Sequence, residues 1–421
     1  MGIVLKNIQK AFKGRVVLKN LNLRVEKGEF HVLLGPSGSG KTTVLSIMAG
    51  LIKQDHGQVF MGMKNVSHVP PSQRGIGFVF QDYALFPHLT VFENIAYGPR
   101  IRKVEQSKIK KQVEHYLRRF KLEKEKDKLP DQLSGGQKQR TAMARALIQD
   151  PEILLMDEPM SNLDPLTKER IGRELKALQH EIGMTTVYVT HNQEEALLLG
   201  NTVSVLNDGR IEQMERAKDL FDHPKTEFVA RFLGTNNILK VSVTRLKQQE
   251  AIVHVHHERM KCPLPIRVKR YPLFDKTKQV DLCIHPGRLL LKKRDDAVDD
   301  RLNRIEGSIT HIADNLHVVS VSIDVGGPVL HAAVPRERFW FHLHETIWVC
   351  FDPDAPHPLC GKPCREAEPL RKCATLIERK SMIPQIQGVT GDAVVNYCEP
   401  VTTPKMGYHR LSRRVNKTDV K

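Results

Sequence analysis

Residues 30–50 read FHVLLGPSGSGKTTVLSIMAG, and three kinds of chain follow one another within them. Phe30–Leu34 is a short apolar run of the sort required by a parallel strand buried on both faces. The next eight residues, Gly35–Thr42, satisfy G-x-x-x-x-G-K-[ST] in full, and the text that follows to Gly50 reads as a helix. Glycines at such a turn let backbone N–H groups point inward onto phosphate oxygens, while the helix behind presents its positive end to the same anion. The candidate nucleotide loop therefore comprises Gly35, Pro36, Ser37, Gly38, Ser39, Gly40, Lys41, Thr42 and Thr43. Lys41 has the reach for β- and γ-phosphates, and the Thr42 hydroxyl can sit on Mg2+. The plain alternative is a glycine-rich turn with an incidental lysine.

A second apolar run, ILLMDEP at 153–159, ends in two acids. Asp157 closes the strand, where a carboxylate can organise a hydrated Mg2+, and Glu158 behind it can polarise an attacking water. Taken alone, the pair could equally be the solvated end of a strand. Around these two sites, apolar strands alternate with helical patterns from Ile3 to about Gly234, as in an α/β domain with a parallel sheet. Turns are expected at Lys13-Gly14 and Lys27-Gly28. Between Tyr83 and Pro130 the helical spacing of VEQSKIKKQVEHYLRRFKL marks a helical insertion, and MTTVYVTH at 184–191 resumes the sheet.

After residue 235 the text changes to short alternating strands: KVSVTRL, EAIVHVHH, QVDLCIHP, GSITHIAD, HVVSVSIDVGG and ETIWVCF. These predict an all-β barrel or sandwich over 236–355. Residues 356–421 have weak periodicity and end in HRLSRRVNKTDVK, so a poorly structured, basic, Cys-containing tail is expected there.

The 421 residues, 40% hydrophobic and 27% charged, exclude a disordered or collagen-like chain. No apolar stretch approaches the ~20 residues of a membrane span, and the N-terminal text lacks a secretory core, so the chain is expected to stay in the cytosol. A net charge of +17 admits nucleic acid or an anionic surface as partner, although Lys and Arg are spread along the chain like a solvated surface. All seven cysteines lie beyond residue 260, and an odd count without an export signal argues for reduced thiols. Cys360, Cys364 and Cys373, with His357 nearby, lack the paired C-x-x-C spacing of a zinc site, and unpaired thiols are the preferred reading.

The motifs GPSGSGKTT, FVFQDYALFP, LSGGQKQR, ILLMDEP, SNLD and YVTH, in that order, resemble those of the ATP-binding cassette (ABC) ATPases, the motor subunits of ABC transporters. The resemblance covers roughly residues 1–235. It implies an α/β P-loop NTPase fold, a RecA-like core with a helical subdomain at about 83–140, using ATP and Mg2+. By the same resemblance Gln81 contacts Mg2+ and water, Asp164 is the D-loop aspartate, His191 touches the γ-phosphate and Phe12 stacks on adenine, where tyrosine is commoner. Ser134, Gly135, Gly136 and Gln137 would meet ATP bound to a second cassette subunit. Two of these have plain readings as well: Ser134 with Gln137 is a capping-box pattern, and Asp164 before Pro165 is a good helix cap.

A single cassette without a membrane span implies a dimer, most simply of identical chains, on the inner face of the plasma membrane. Its other partners would be an integral-membrane permease and, indirectly, a periplasmic or extracellular solute-binding protein. The segment VPPSQRGIGFVFQDYALFPHLTV is similar to importer ATPases for polyamines, iron(III), sugars, sulfate and molybdate or tungstate. The β-rich part resembles the OB-like (TOBE) regulatory domain of that group, with His285 and Gly287 departing from its usual R-P-E-like sequence. Its flavour leans toward a molybdate/tungstate-type member. A cassette acting on nucleic acid is the alternative from another class, disfavoured because the β region is poor in stacking aromatics.

Overall fold

A computed structural model describes residues 2–360 apart from Asn162 and Leu316. In chain order its strands are β1 (Ile3–Phe12), β2 (Arg15–Val25), β3 (Phe30–Leu34), β4 (His56–Met61), β5 (Lys64–Asn65), β6 (Ile76–Val79), β7 (Ile153–Asp157), β8 (Thr185–Thr190), β9 (Thr202–Asn207) and β10 (Arg210–Arg216). Ten more follow: β11 (Asn237–Leu246), β12 (Glu250–Val255), β13 (Leu264–Lys269), β14 (Gln279–Ile284), β15 (Leu290–Lys293), β16 (Asn303–Asp314), β17 (Val318–Asp324), β18 (Val329–Pro335), β19 (Thr346–Phe351) and β20 (Pro356–Leu359). The helices are α1 (Lys41–Ala49), α2 (Val91–Ile101), α3 (Gln106–Arg119), α4 (Gly135–Leu147), α5 (Pro165–Ile182), α6 (Gln193–Leu199), α7 (Ala217–Asp222) and α8 (Glu227–Phe232).

The central sheet runs β10-β9-β3-β8-β7-β6, and β9, β3, β8, β7 and β6 are parallel. Every residue of β3, β7 and β8 is buried, as apolar strands covered on both faces must be. Successive side chains on a strand point to opposite faces, which sorts them into two cores. Leu34, Met156 and Tyr188 join one core with α2–α6, whereas Leu33, Leu155 and Val189 join another with α1 and the antiparallel sheet β2-β1-β4-β5. The β1–β2 hairpin turns where the sequence predicts. Phe12 pairs with Arg15, and Lys13 (φ 47°) with Gly14 (φ 82°) supplies the two positive-φ residues of a twisted two-residue turn.

Helices α2, α3 and α4 follow β6, and α2 packs against both of the others. A capping box of Thr90 and Glu93 opens α2, and α3 buries Ile109, Val113 and Leu117 at helical spacing. Helix α5 begins with Pro165 behind the cap residue Asp164 and stops at the left-handed Gly183.

The β-rich part has two five-stranded antiparallel sheets, β13-β12-β11-β14-β20 and β15-β19-β16-β17-β18, whose inward residues share one core. Alternation is plain in β12 and β18, where every second residue is buried. Two differences from the sequence reading stand out. Strands β13, β15, β18 and β20 join the six read from the alternation. Strand β20 also carries the sheet past residue 355, because His357 pairs with Cys283 on β14. Leu359, Cys283 and Ala230 pack together, and the Cys360 N–H donates to the Lys225 carbonyl at 2.7 Å. Residues 361–421, with the expected poorly structured tail, Cys364 and Cys373, lie outside the described residues. Cys262, Cys283, Cys350 and Cys360 are free thiols, and no group of three or more metal-ligating side chains forms among the described residues. No helix among them is long and apolar enough to cross a membrane.

Candidate active site

The carboxyl ends of β3, β7 and β8 lie side by side, and the loops leaving them bring the predicted groups together. From β3 the chain enters the Gly35–Gly40 turn and then α1. Gly40 precedes the helix at φ 106°, a conformation L side chains rarely adopt, so the tight entry to α1 depends on glycine there. Inside the turn the Ser39 N–H bonds to the Pro36 carbonyl at 3.3 Å, and the Ser39 hydroxyl is buried without a partner. Lys41 is nearly buried. Its ammonium donates to the Pro36 carbonyl at 3.0 Å and lies 3.8 Å from Glu158 Oε1. Burial pulls its pKa down, while the nearby Glu158 and Asp157 carboxylates oppose that shift.

From β7 come the acids. The Thr42 hydroxyl donates to Asp157 Oδ1 at 3.2 Å. Burial raises the Asp157 pKa, and the Thr42 bond and Lys41 act against it. Glu158 has φ 41°, unusual for a non-glycine residue, and its N–H donates to the Val189 carbonyl of β8 at 3.0 Å. From β8 comes His191, whose Nδ1 lies 3.0 Å from Glu158 Oε2. One carboxylate is thus gripped by an imidazole on one oxygen and approached by an ammonium on the other.

These contacts test whether ATP and Mg2+ fit. A phosphate needs the inward-turned loop, the buried ammonium and an unsatisfied hydroxyl such as that of Ser39. A small hard cation takes oxygen ligands and keeps several waters, which suits one hydroxyl beside one carboxylate, and its charge would oppose the burial that raises the Asp157 pKa. The residues present fit both groups.

The remaining predicted residues sit elsewhere. Gln81 is exposed in the turn after β6, Phe12 is half-exposed at the end of β1 beneath the Lys10 ammonium, and Asp164 caps α5 by accepting from the Thr167 N–H at 2.9 Å. The Thr167 hydroxyl first, and then this backbone bond, hold the Asp164 carboxyl below the usual range. Ser134 caps α4: its hydroxyl accepts from the Gln137 N–H at 3.4 Å, and Gln137 Oε1 accepts from the Ser134 N–H at 2.9 Å. Gly135 and Gly136 make the first turn behind that cap. Among the described residues no hydrogen bond or ion pair joins Gln81, Phe12, Asp164 or Ser134–Gln137 to the Gly35–Thr43 loop.

Sequence reading passed over two residues that serve the site. Arg74 is buried and donates to the Ile47 and Met48 carbonyls at 2.9 and 2.8 Å, closing the C-terminal end of α1. Arg145 of α4 donates to the carbonyls of Tyr83 and Ala84, just beyond Gln81, at 2.8 and 2.7 Å. No local pattern announces either, since each partner is distant in sequence.

Residues 18–161 match the family model described as ABC transporter. A spermidine/putrescine import ATP-binding protein (PotA) of Acetivibrio thermocellus is 43% identical over 308 residues, 73% of this chain and 83% of that protein. The protein of the same name from Escherichia coli K12 is 38% identical over 366 residues, 86% of this chain and 90% of its own length. An Fe(3+) ions import ATP-binding protein (FbpC) of Fusobacterium nucleatum is 43% identical over 57% of this chain and 65% of that protein. With the phosphate loop, the paired acids and the histidine converging as described, the chain belongs to the ABC transporter family as an ATP-binding cassette of the importer group, an ATPase.

Proposed function

We propose that two copies of this chain bind two ATP molecules between them and hydrolyse them with Mg2+ to drive polyamine uptake through a separate membrane permease. The observation that carries the reading is the convergence of Lys41, Thr42, Asp157, Glu158 and His191 at three adjacent strand ends. The loop amides and Lys41 hold the phosphates in place. Glu158 takes a proton from the water that attacks the γ-phosphorus as the bond to the bridging oxygen breaks, leaving ADP and phosphate. His191 fixes that carboxylate. Mg2+, held by Thr42, Asp157 and the Gln81 amide, would neutralise the phosphate charge that builds in the transition state. Phe12 stacks on adenine.

Ser134 and the first N–H groups of α4 complete the site of the opposite copy, with hydroxyl, amides and helix dipole directed at its γ-phosphate. Asp164 shapes the turn beside them. The lack of an acid in this turn suits the task, because a carboxylate facing the anion would repel it. The chain would work at the inner face of the plasma membrane, with the surface of residues 78–98 receiving the permease and a solute-binding protein delivering cargo from outside. The β-rich part would serve as the TOBE-type domain.

The relatives support polyamine as the cargo. Those named for spermidine and putrescine align over 73% and 86% of the chain, hence into the β-rich part, while the iron(III) relative aligns over 57%. None of the three is named for the oxyanion toward which the β-rich sequence leans. Iron(III) is the second reading. Co-purification with the permease followed by uptake into vesicles tests it: spermidine or putrescine is expected to enter in an ATP-dependent way. Iron(III) uptake instead supports the second reading, and uptake of neither overturns both.

A further inference from the structure

The turn that carries His191 rests on a single buried carboxylate. Glu195, in the first turn of α6, is 6% exposed. Its Oε2 accepts from the Tyr188 hydroxyl at 2.8 Å and the Thr190 hydroxyl at 2.7 Å, and its Oε1 lies 3.5 Å from the Lys168 ammonium. Thr190 Oγ1 in turn accepts from the Asn192 N–H at 3.0 Å, and Asn192 Oδ1 accepts from the Glu195 N–H at 3.0 Å. Both neighbours of His191 are therefore tied to Glu195, while the imidazole itself stays free to meet Glu158. Lys168 extends the tie. Its N–H donates to the Asp164 carbonyl at 2.9 Å, in the turn that opens α5.

Helix stability does not explain this arrangement. Asn192 already caps α6, so the Glu195 side chain could have been left in water. A buried carboxylate is costly unless it is paired and hydrogen-bonded, and here two hydroxyls and one ammonium meet the requirement. We propose that Glu195 is a positioning residue for hydrolysis: it sets the Thr190–Asn192 turn so that His191 reaches Glu158, and through Lys168 it links that turn to the one at Asp164. The proposal rests on the reading that His191 and Glu158 act in hydrolysis.

Steady-state ATPase kinetics of the purified full chain test it with Glu195→Ala, Thr190→Val, His191→Ala and the two double variants made with His191→Ala. Glu195→Ala and Thr190→Val are each expected to lower kcat by about 10-fold or more, with KM for ATP within about threefold of the parent. Added to His191→Ala, neither should lower kcat further, because residues acting through one group are not additive. Thr190→Val is nearly isosteric and decides the matter if Glu195→Ala does not fold. Parent-like kcat in the single variants, or losses that multiply in the doubles, overturns the positioning role. Parent-like turnover of His191→Ala alone would overturn the underlying reading instead.

Discussion

Glu158 holds a left-handed backbone although nothing about glutamate favours one. Such a conformation costs on the order of 1–3 kcal/mol and persists where surrounding structure over-determines it. Here the bond from its N–H to Val189 and the approach of His191 and Lys41 do so. Glu158→Gln keeps the shape but removes the proton acceptor, so MgATP binding by equilibrium titration should be retained while kcat falls by about 100-fold or more. Parent-like turnover would exclude Glu158 as the base. Ser134 presents the contrasting case, since its cap bonds are local and its proposed ligand belongs to another molecule. Ser134→Arg should spare nucleotide binding by the single chain and abolish turnover. Ser134→Ala should in addition lower stability by about 1 kcal/mol through loss of the cap, measurable by denaturant unfolding. The functional residues legible in the sequence were those whose chemistry is written in a local string: Lys41 and Thr42 within one loop, Asp157 and Glu158 at one strand end. Glu195 was not legible. In HNQEE it looks like an ordinary helix-opening acid, and only the approach of Tyr188, Thr190 and Lys168 shows that it turns inward.

Among the elements, α1 is fastened at both ends, by the Gly40 turn in front and by Arg74 behind. A guanidinium donating to the last carbonyls also complements the negative end of the helix dipole. Arg74→Met should therefore cost about 3 kcal/mol in unfolding free energy and weaken ATP binding, because the far end of the same helix carries the phosphate loop. Strand β3 hides a titratable group. The His31 imidazole is fully buried, with its Nδ1 2.7 Å from the Thr202 hydroxyl, which itself donates to Glu29. Thr202 has spent its proton on Glu29, so His31 carries hydrogen on Nδ1, and Nε2 has no partner. Burial lowers its pKa from 6.5 to about 3. The unfolded chain therefore binds the extra proton between those values, and stability present above pH 6.5 is lost as the pH falls, by about 2 kcal/mol at pH 5. Unfolding free energies at pH 7 and pH 5 should differ by roughly that much less in His31→Gln; an unchanged difference would exclude His31 as the source. Strand existence was legible where alternation was clean, as in β12 and β17. It was hidden in β20, whose PHPL reads as a loop; two prolines are tolerated there because the strand lies at a sheet edge.

Over the whole molecule, the architecture of the first 235 residues could be read because each strand end that matters carries its own motif. The β-rich part could be read only as a class, since which short strands pair, and in what order, depends on long-range register that no local string records. The composite site lies one step further away. Ser134–Gln137 makes no hydrogen bond to the chain's own phosphate loop among the described residues, and the ligand proposed for the turn is a second copy's nucleotide. Its most direct test is cysteine cross-linking between two separately made variants, Ser37→Cys and Ser134→Cys, each also carrying Glu158→Gln to prevent turnover. Mixed with MgATP under mild oxidation, they should give a covalent dimer containing one of each, absent from either variant alone and strongly reduced without nucleotide. If that mixed dimer fails to form while ATP is bound, or forms equally well without ATP, the two-copy site is contradicted.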